Sequence, residues 1–76
     1  MVDNADQIQQ GFGKNVRRFR HAAGLSQEEL ALRSGLDRSF VGQVERGERN
    51  ISLTNIYRLA AGLKIDPSAL FERPQK

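Results

Sequence analysis

Cysteine is absent from this chain of 76 residues. That excludes a disulfide framework and any thiolate metal site. No apolar run approaches membrane-spanning length, and Met1 to Gln10 lack the apolar core of a signal peptide. An intracellular protein is the simplest inference. Histidine occurs once, as His21, and no nucleophile or carboxylate is identifiable as its partner. His21 is therefore read as a surface or rim residue. The seven glycines mark caps and turns and form no phosphate-cradling pattern. No metal-ligand cluster is present, so neither a metal nor a cofactor is expected. The length allows one small domain but no deep substrate cavity. An enzyme is disfavoured on both counts. A domain of this size without covalent or metal staples depends on helix packing, with oligomerisation as a further source of stability.

The residues that are present describe a globular chain, 38% hydrophobic and 28% charged. Twelve basic residues against nine acidic ones give a net charge of +3, which favours a polyanionic partner only weakly. The type of base says more. Nine of the twelve are arginine, whose planar fork suits phosphates and guanine edges. On composition alone, a solvated arginine-rich surface satisfies the same count.

Local signals divide the chain into five short helices and no strand. Residues 1–10 are polar and read as a disordered tail. Residues 11–72 form the domain, and 73–76 a C-terminal tail. Helix one runs from near Gly11 to Ala23, with Phe12, Val16 and Phe19 as its apolar stripe and Gly24 as its stop. Helix two starts at Ser26, which has capping-box spacing to Glu29. Leu25 and Leu30 flank that cap as a hydrophobic staple, and Gly35 ends the helix. Helix three starts at Asp37, an acidic N-cap suited to the helix dipole, and closes at Gly47. Val41 and Val44 point to one side of it. Arg38, Ser39, Gly42 and Gln43 are left largely on the other. Helix four starts at Ser52 and buries Ile56, Leu59, Ala60 and Leu63. Asp66-Pro67 opens a fifth helix through Leu70 and Phe71.

Ser26 to Gly47 is thus two capped helices joined at a glycine turn. This is the layout of a helix-turn-helix, whose second helix enters the DNA major groove. From Gly11 to Phe71 the chain resembles the Cro and lambda-repressor type of domain, also called the Xre family. The matching residues are Val16 to Arg20, Gly24 to Ala31, Gly35-Leu36, Val44 to Gly47, Ser52-Leu53 through Leu63, and the Asp66-Pro67 helix.

Several roles are implied by that resemblance. Gln27 sits in a first turn that lies against a DNA phosphate, and its side chain braces the start of helix three. Arg46, Arg49 and Asn50 lie where the family contacts backbone phosphates, and Arg17 is a further candidate from helix one. Arg20 and Glu45 are implied to be a structural ion pair between helices one and three. In the major groove, Arg38 suits guanine O6 and N7. Ser39 donates or accepts and discriminates less. Gln43 suits adenine or supports a neighbour. Gly42 permits close approach to the groove, or close packing against another helix. Phe40 is open between a thymine methyl or sugar contact and a rim-packed core aromatic.

The expected partner is double-stranded DNA with a palindromic operator, bound by a homodimer whose half-sites lie about 34 Å apart. Helices four and five supply the candidate dimer surface through Leu53, Tyr57, Ile65 and Phe71. A core role is the competing reading for Leu53, Ile65 and Phe71. No membrane partner is expected. The resemblance implies a cytoplasmic protein of bacterial or phage origin, associated with the nucleoid. Small controller proteins of restriction–modification systems share this length and the Leu-Asp-Arg-(Ser/Thr)-aromatic start matched by Leu36 to Phe40. Phage-type repressors and stand-alone regulators are equally short, so the subclass stays open. The alternative class is an antitoxin or co-regulator whose main partner is a protein. It would be marked by a large exposed apolar surface outside helices four and five.

Overall fold

A computed structural model describes residues 4–73. Its elements are α1 (Ala5–Ala22), α2 (Gln27–Ser34), α3 (Arg38–Glu45), α4 (Leu53–Leu63) and a 3-10 helix (Pro67–Phe71). The described residues contain no strand. No described helix is long and apolar enough to cross a membrane.

The start signals act locally. Ser26 accepts the Glu29 N–H, and the Glu29 side chain accepts the Ser26 N–H in return, completing a capping box. Ser52 accepts the Asn55 N–H at the start of α4, without a reciprocal bond. Gly35 ends α2 with φ at 68°, a left-handed conformation that costs glycine nothing and other residues about 1 kcal/mol or more. Asp37 occupies the N-cap of α3, but its side chain makes no capping hydrogen bond. Its contribution there is limited to the favourable field at the helix start.

Two expectations are corrected. The polar stretch before Gly11 is helical from Ala5. Asn4 caps it by accepting the Gln7 N–H at 2.8 Å, and Asp6 lies in the first turn, where the dipole favours it. Extending an existing helix by two turns avoids the nucleation cost that an isolated polar peptide would meet. Met1 to Asp3, and residues 74–76 of the expected C-terminal tail, lie outside the described residues. The fifth helix is a single 3-10 segment of five residues, cut short where the chain turns extended at Glu72. The end of α4, for which the sequence offered no stop signal, is Lys64, which adopts φ of 58° without being glycine.

The core is one cluster. Val16, Leu30, Val41, Val44, Leu59 and Leu70 are fully buried and come from all five elements. Each such side chain contributes about 1.5–3 kcal/mol relative to exposure. α1 packs on α3 and the 3-10 helix, and α2 packs on α3 and α4. Gly13 makes the first of these contacts possible. A β-carbon there would collide with the backbone oxygens of Val44 and Glu45.

Two polar clasps complete the frame. The Arg20 guanidinium donates from Nε to Glu45 Oε2 at 2.6 Å and from Nη2 to Oε1 at 2.9 Å. Its Nη1 donates to the Leu25 carbonyl at 2.9 Å, and Gln27 Nε2 donates to Glu45 Oε1 at 3.1 Å. Both charges are buried, with side chains 10% and 3% exposed. The hydrogen bonds to Glu45 raise the Arg20 pKa further, against the opposing effect of burial. The second clasp is Asn15, itself buried. Its Nδ2 donates to the carbonyls of Leu70 and Glu72, at 2.9 and 2.6 Å, tying the C-terminal segment to α1.

Three measurements check this frame. Arg20→Ala should destabilise the protein by about 3–5 kcal/mol in a denaturant melt, because Glu45 stays buried without its counter-ion. A loss under about 1 kcal/mol would put the pair among ordinary surface bridges. Gly13→Ala, although alanine is the better helix former, should lower stability by about 2 kcal/mol or more by forcing α1 off α3. An unchanged melting temperature would refute that close approach. Acid sensitivity follows from two carboxylates. Glu29 is held below its ordinary pKa by the Ser26 backbone N–H and then its side chain. Asp66 is held down by the Ser68 N–H and then its hydroxyl. Both bind protons more weakly folded than unfolded. Their stabilisation is therefore complete above the ordinary carboxylate range and is lost as pH falls through it toward the depressed values. Melting curves taken at decreasing pH should show a shallower acid limb for Glu29→Gln than for the unaltered chain.

Candidate nucleic-acid interface

One flank of α3 is buried and the other is not. Val41, Val44 and Glu45 face inward, while Arg38 and Ser39 are exposed on the first turn and Gln43 is half-buried one turn later. Ser39 and Gln43 are four residues apart and share a face. Among the described residues, no side-chain hydrogen bond holds Arg38 or Ser39. Their donors are therefore available to a ligand, on a helix whose last residue is fixed by a buried ion pair.

Gly42 is buried, a correction to its expected place on the open side. Arg46 Nη1 lies 3.2 Å from where a β-carbon would stand, and the Gln27 amide atoms lie at 3.6 and 3.8 Å. The missing side chain thus leaves room for the Gln27 amide and the Arg46 guanidinium to lie close against α3. Close packing against α2 is the reading that these contacts support.

Gln27 is half-buried at the first position of α2, and its amide is engaged by Glu45. It therefore braces the end of α3, not the start expected from the sequence. Geometry explains the change, since Glu45 is already pulled inward by Arg20 and presents its Oε1 to Gln27.

The segment after α3 carries two more candidate cations, Arg46 and Arg49. Arg46 is exposed and bonds Glu48 Oε2 from Nε at 3.1 Å. An exposed pair of this kind is worth at most about 1 kcal/mol and can give way to a stronger anion. Arg49 and Asn50 are exposed, and the Arg49 guanidinium sits 4.9 Å over the Phe40 ring. Phe40 is half-buried, with part of its surface against the core. Arg17 is exposed on α1. The stacking of Arg49 on Phe40 is not visible in sequence spacing. Glu48 could have been suspected from its position two residues after Arg46, but the stack joins residues nine apart across the end of a helix.

A second surface lies on α4 and the 3-10 helix. Leu53, Tyr57 and Phe71 are 70%, 58% and 60% exposed. Leu53 and Tyr57 stand one turn apart on the outer face of α4. The Phe71 ring lies 5.5 Å from that of Phe12. Ile65 is different, because it packs against the core. Sequence reasoning missed Ile8, an exposed residue on the first turns of α1 that lines a shallow cleft with Phe12 and Phe71.

Known proteins share this construction. A family model described as helix-turn-helix matches residues 16–70. A hypothetical transcription factor of Neisseria meningitidis is 48% identical over 62 residues, 82% of this chain and 58% of that protein. The present chain therefore spans less than two thirds of that relative. Control protein C.SmaI of Serratia marcescens is 42% identical over 66 residues, 87% of this chain and 79% of that one. Among solved structures, the restriction–modification controller protein C.AhdI of Aeromonas hydrophila aligns with a TM-score of 0.82 at 59% identity, covering 83% of this chain and 96% of that chain. The capped pair α2–α3, its buried brace and these relatives lead to one assignment: the chain belongs to the helix-turn-helix family of DNA-binding transcription regulators, not to a family of enzymes.

Proposed function

We propose that the protein binds a palindromic operator as a homodimer, with α3 of each copy in the major groove. The carrying observation is the exposed first turn of α3. Arg38 and Ser39 are free there, while the same helix is anchored at its other end by Glu45. In this reading Arg38 takes guanine O6 and N7 with two hydrogen bonds, and Ser39 and Gln43 read or support neighbouring bases. Gln27, Arg46, Arg49, Asn50 and Arg17 lie against phosphates. One domain makes few base contacts, so two-fold pairing is needed to reach a specific site, with half-sites about 34 Å apart. Leu53, Tyr57 and Phe71 supply an apolar patch for that pairing. Ile65 supports it from the core side.

The likeness to C.SmaI and C.AhdI favours a controller protein of a restriction–modification system. Its operator would lie upstream of the genes it controls, in the bacterial cytoplasm. An interaction module is less well supported. Outside α4 and the cleft that Ile8 lines with Phe12 and Phe71, Leu32 on α2 is the one exposed large apolar side chain among the described residues, at 82% exposure. A single side chain is not a protein-binding surface.

Selection from a random duplex pool tests the proposal. The unaltered protein should enrich a two-fold symmetric motif. Arg38→Ala should relax preference at one base position per half-site, with a cost of about 1–3 kcal/mol there. Arg46→Ala should weaken all sequences alike and reduce the salt slope by about one. Enrichment of no motif would sink the regulator reading. A monomer by sedimentation, both free and on DNA, would sink the dimer.

A further inference from the structure

Phe40 stands on the recognition helix, yet its geometry is not that of a base reader. One part of the ring rests against the core, and the Arg49 guanidinium covers another at 4.9 Å from the centroid. Arg49 comes from the loop between α3 and α4, outside any helix. Its neighbour Arg46 bonds Glu48. Among the described residues Arg49 has no acidic partner, and the ring is its one specific contact.

A loop arginine with nothing to lean on spreads over many rotamers, and immobilising it on binding costs side-chain entropy. An aromatic ring restricts that rotamer spread without using any hydrogen-bond donor. The stack engages the face of the guanidinium, whereas its five N–H donors point outward around the edge. The two uses are perpendicular, so the same group can stay on the ring while its edge takes a phosphate bidentately. We propose that Phe40 is a positioning residue, a platform that aims Arg49 at a DNA phosphate. It thereby contributes to affinity and not to base choice. The inference rests on the reading of Arg49 as a phosphate contact.

The test is a double-mutant cycle read by fluorescence anisotropy at several salt concentrations. Duplexes carrying the motif enriched by the unaltered protein are compared with random-sequence duplexes. Phe40→Leu should weaken binding to both by about two- to fivefold, the range expected for an exposed cation–aromatic contact. Its selected motif should stay the same. Arg49→Ala should weaken both and lower the salt slope by about one. The double variant should be no weaker than Arg49→Ala alone, and Phe40→Tyr should bind within about twofold of the original. A changed base preference in Phe40→Leu would overturn the proposal, as would effects of the two variants that multiply. If no motif is enriched at all, the operator reading fails, but the cycle on random duplexes still decides the platform. Should Phe40→Leu prove unstable, the unaltered protein supplies the decision by NMR. The Arg49 Hδ resonances should be shifted upfield by the ring and remain so on a duplex. Unshifted resonances, or loss of the shift on binding, would overturn it.

Discussion

The buried pair between Arg20 and Glu45 is the constraint around which the rest of this domain is arranged. It joins residues 25 positions apart with two short hydrogen bonds. A single buried charge would be prohibitively costly, so each needs the other. The pair makes further hydrogen bonds. Arg20 meets the Leu25 carbonyl in the turn before α2, and Glu45 meets Gln27 on the first turn of α2. One guanidinium and one carboxylate therefore fix α1, α2 and α3 relative to each other. A hydrophobic contact in the same place would stabilise the helices without setting their orientation, because it has no preferred direction.

Fixing α3 from its buried end has a functional consequence. Side chains on its first turn need not take part in holding the helix, so Arg38 and Ser39 stay exposed. The glycines that permit close packing lie on the inner flanks. Gly13 lets α1 reach the α3 backbone, and Gly42 leaves room for Gln27 and Arg46. Rigidity and availability are thereby separated along one eight-residue helix. The same separation appears at the C-terminal end. Asn15 holds the 3-10 segment from within, through the carbonyls of Leu70 and Glu72, while Phe71 is left outward.

Much of the architecture could be read in the sequence. Ser26 with Glu29, Gly35, Ser52 and Asp66-Pro67 each mark a helix end through contacts within one turn, and each end is where those residues put it. The first two turns of α1 were hidden because their residues are polar and leave Ile8 exposed, so no apolar stripe announced them. The end of α4 was hidden because Lys64 adopts a conformation normally left to glycine. Within the interface, the exposure of Arg38 and Ser39 followed from the start of α3 and its valine stripe. The burial of Gly42 and the partner of Gln27 did not follow, since both depend on how α2 crosses α3.

Local chemistry, then, was determined by the sequence alone: where helices start, which face is apolar, and which cations flank the second helix of the pair. These depend on neighbours three or four residues away, within one turn of backbone. The tertiary structure decided which groups distant in sequence meet. Arg20 with Glu45, Asn15 with Leu70 and Glu72, and Arg49 with Phe40 are brought together by helix crossings and the turns between them. Such crossings follow from packing the whole core at once, and no short stretch of residues contains that information.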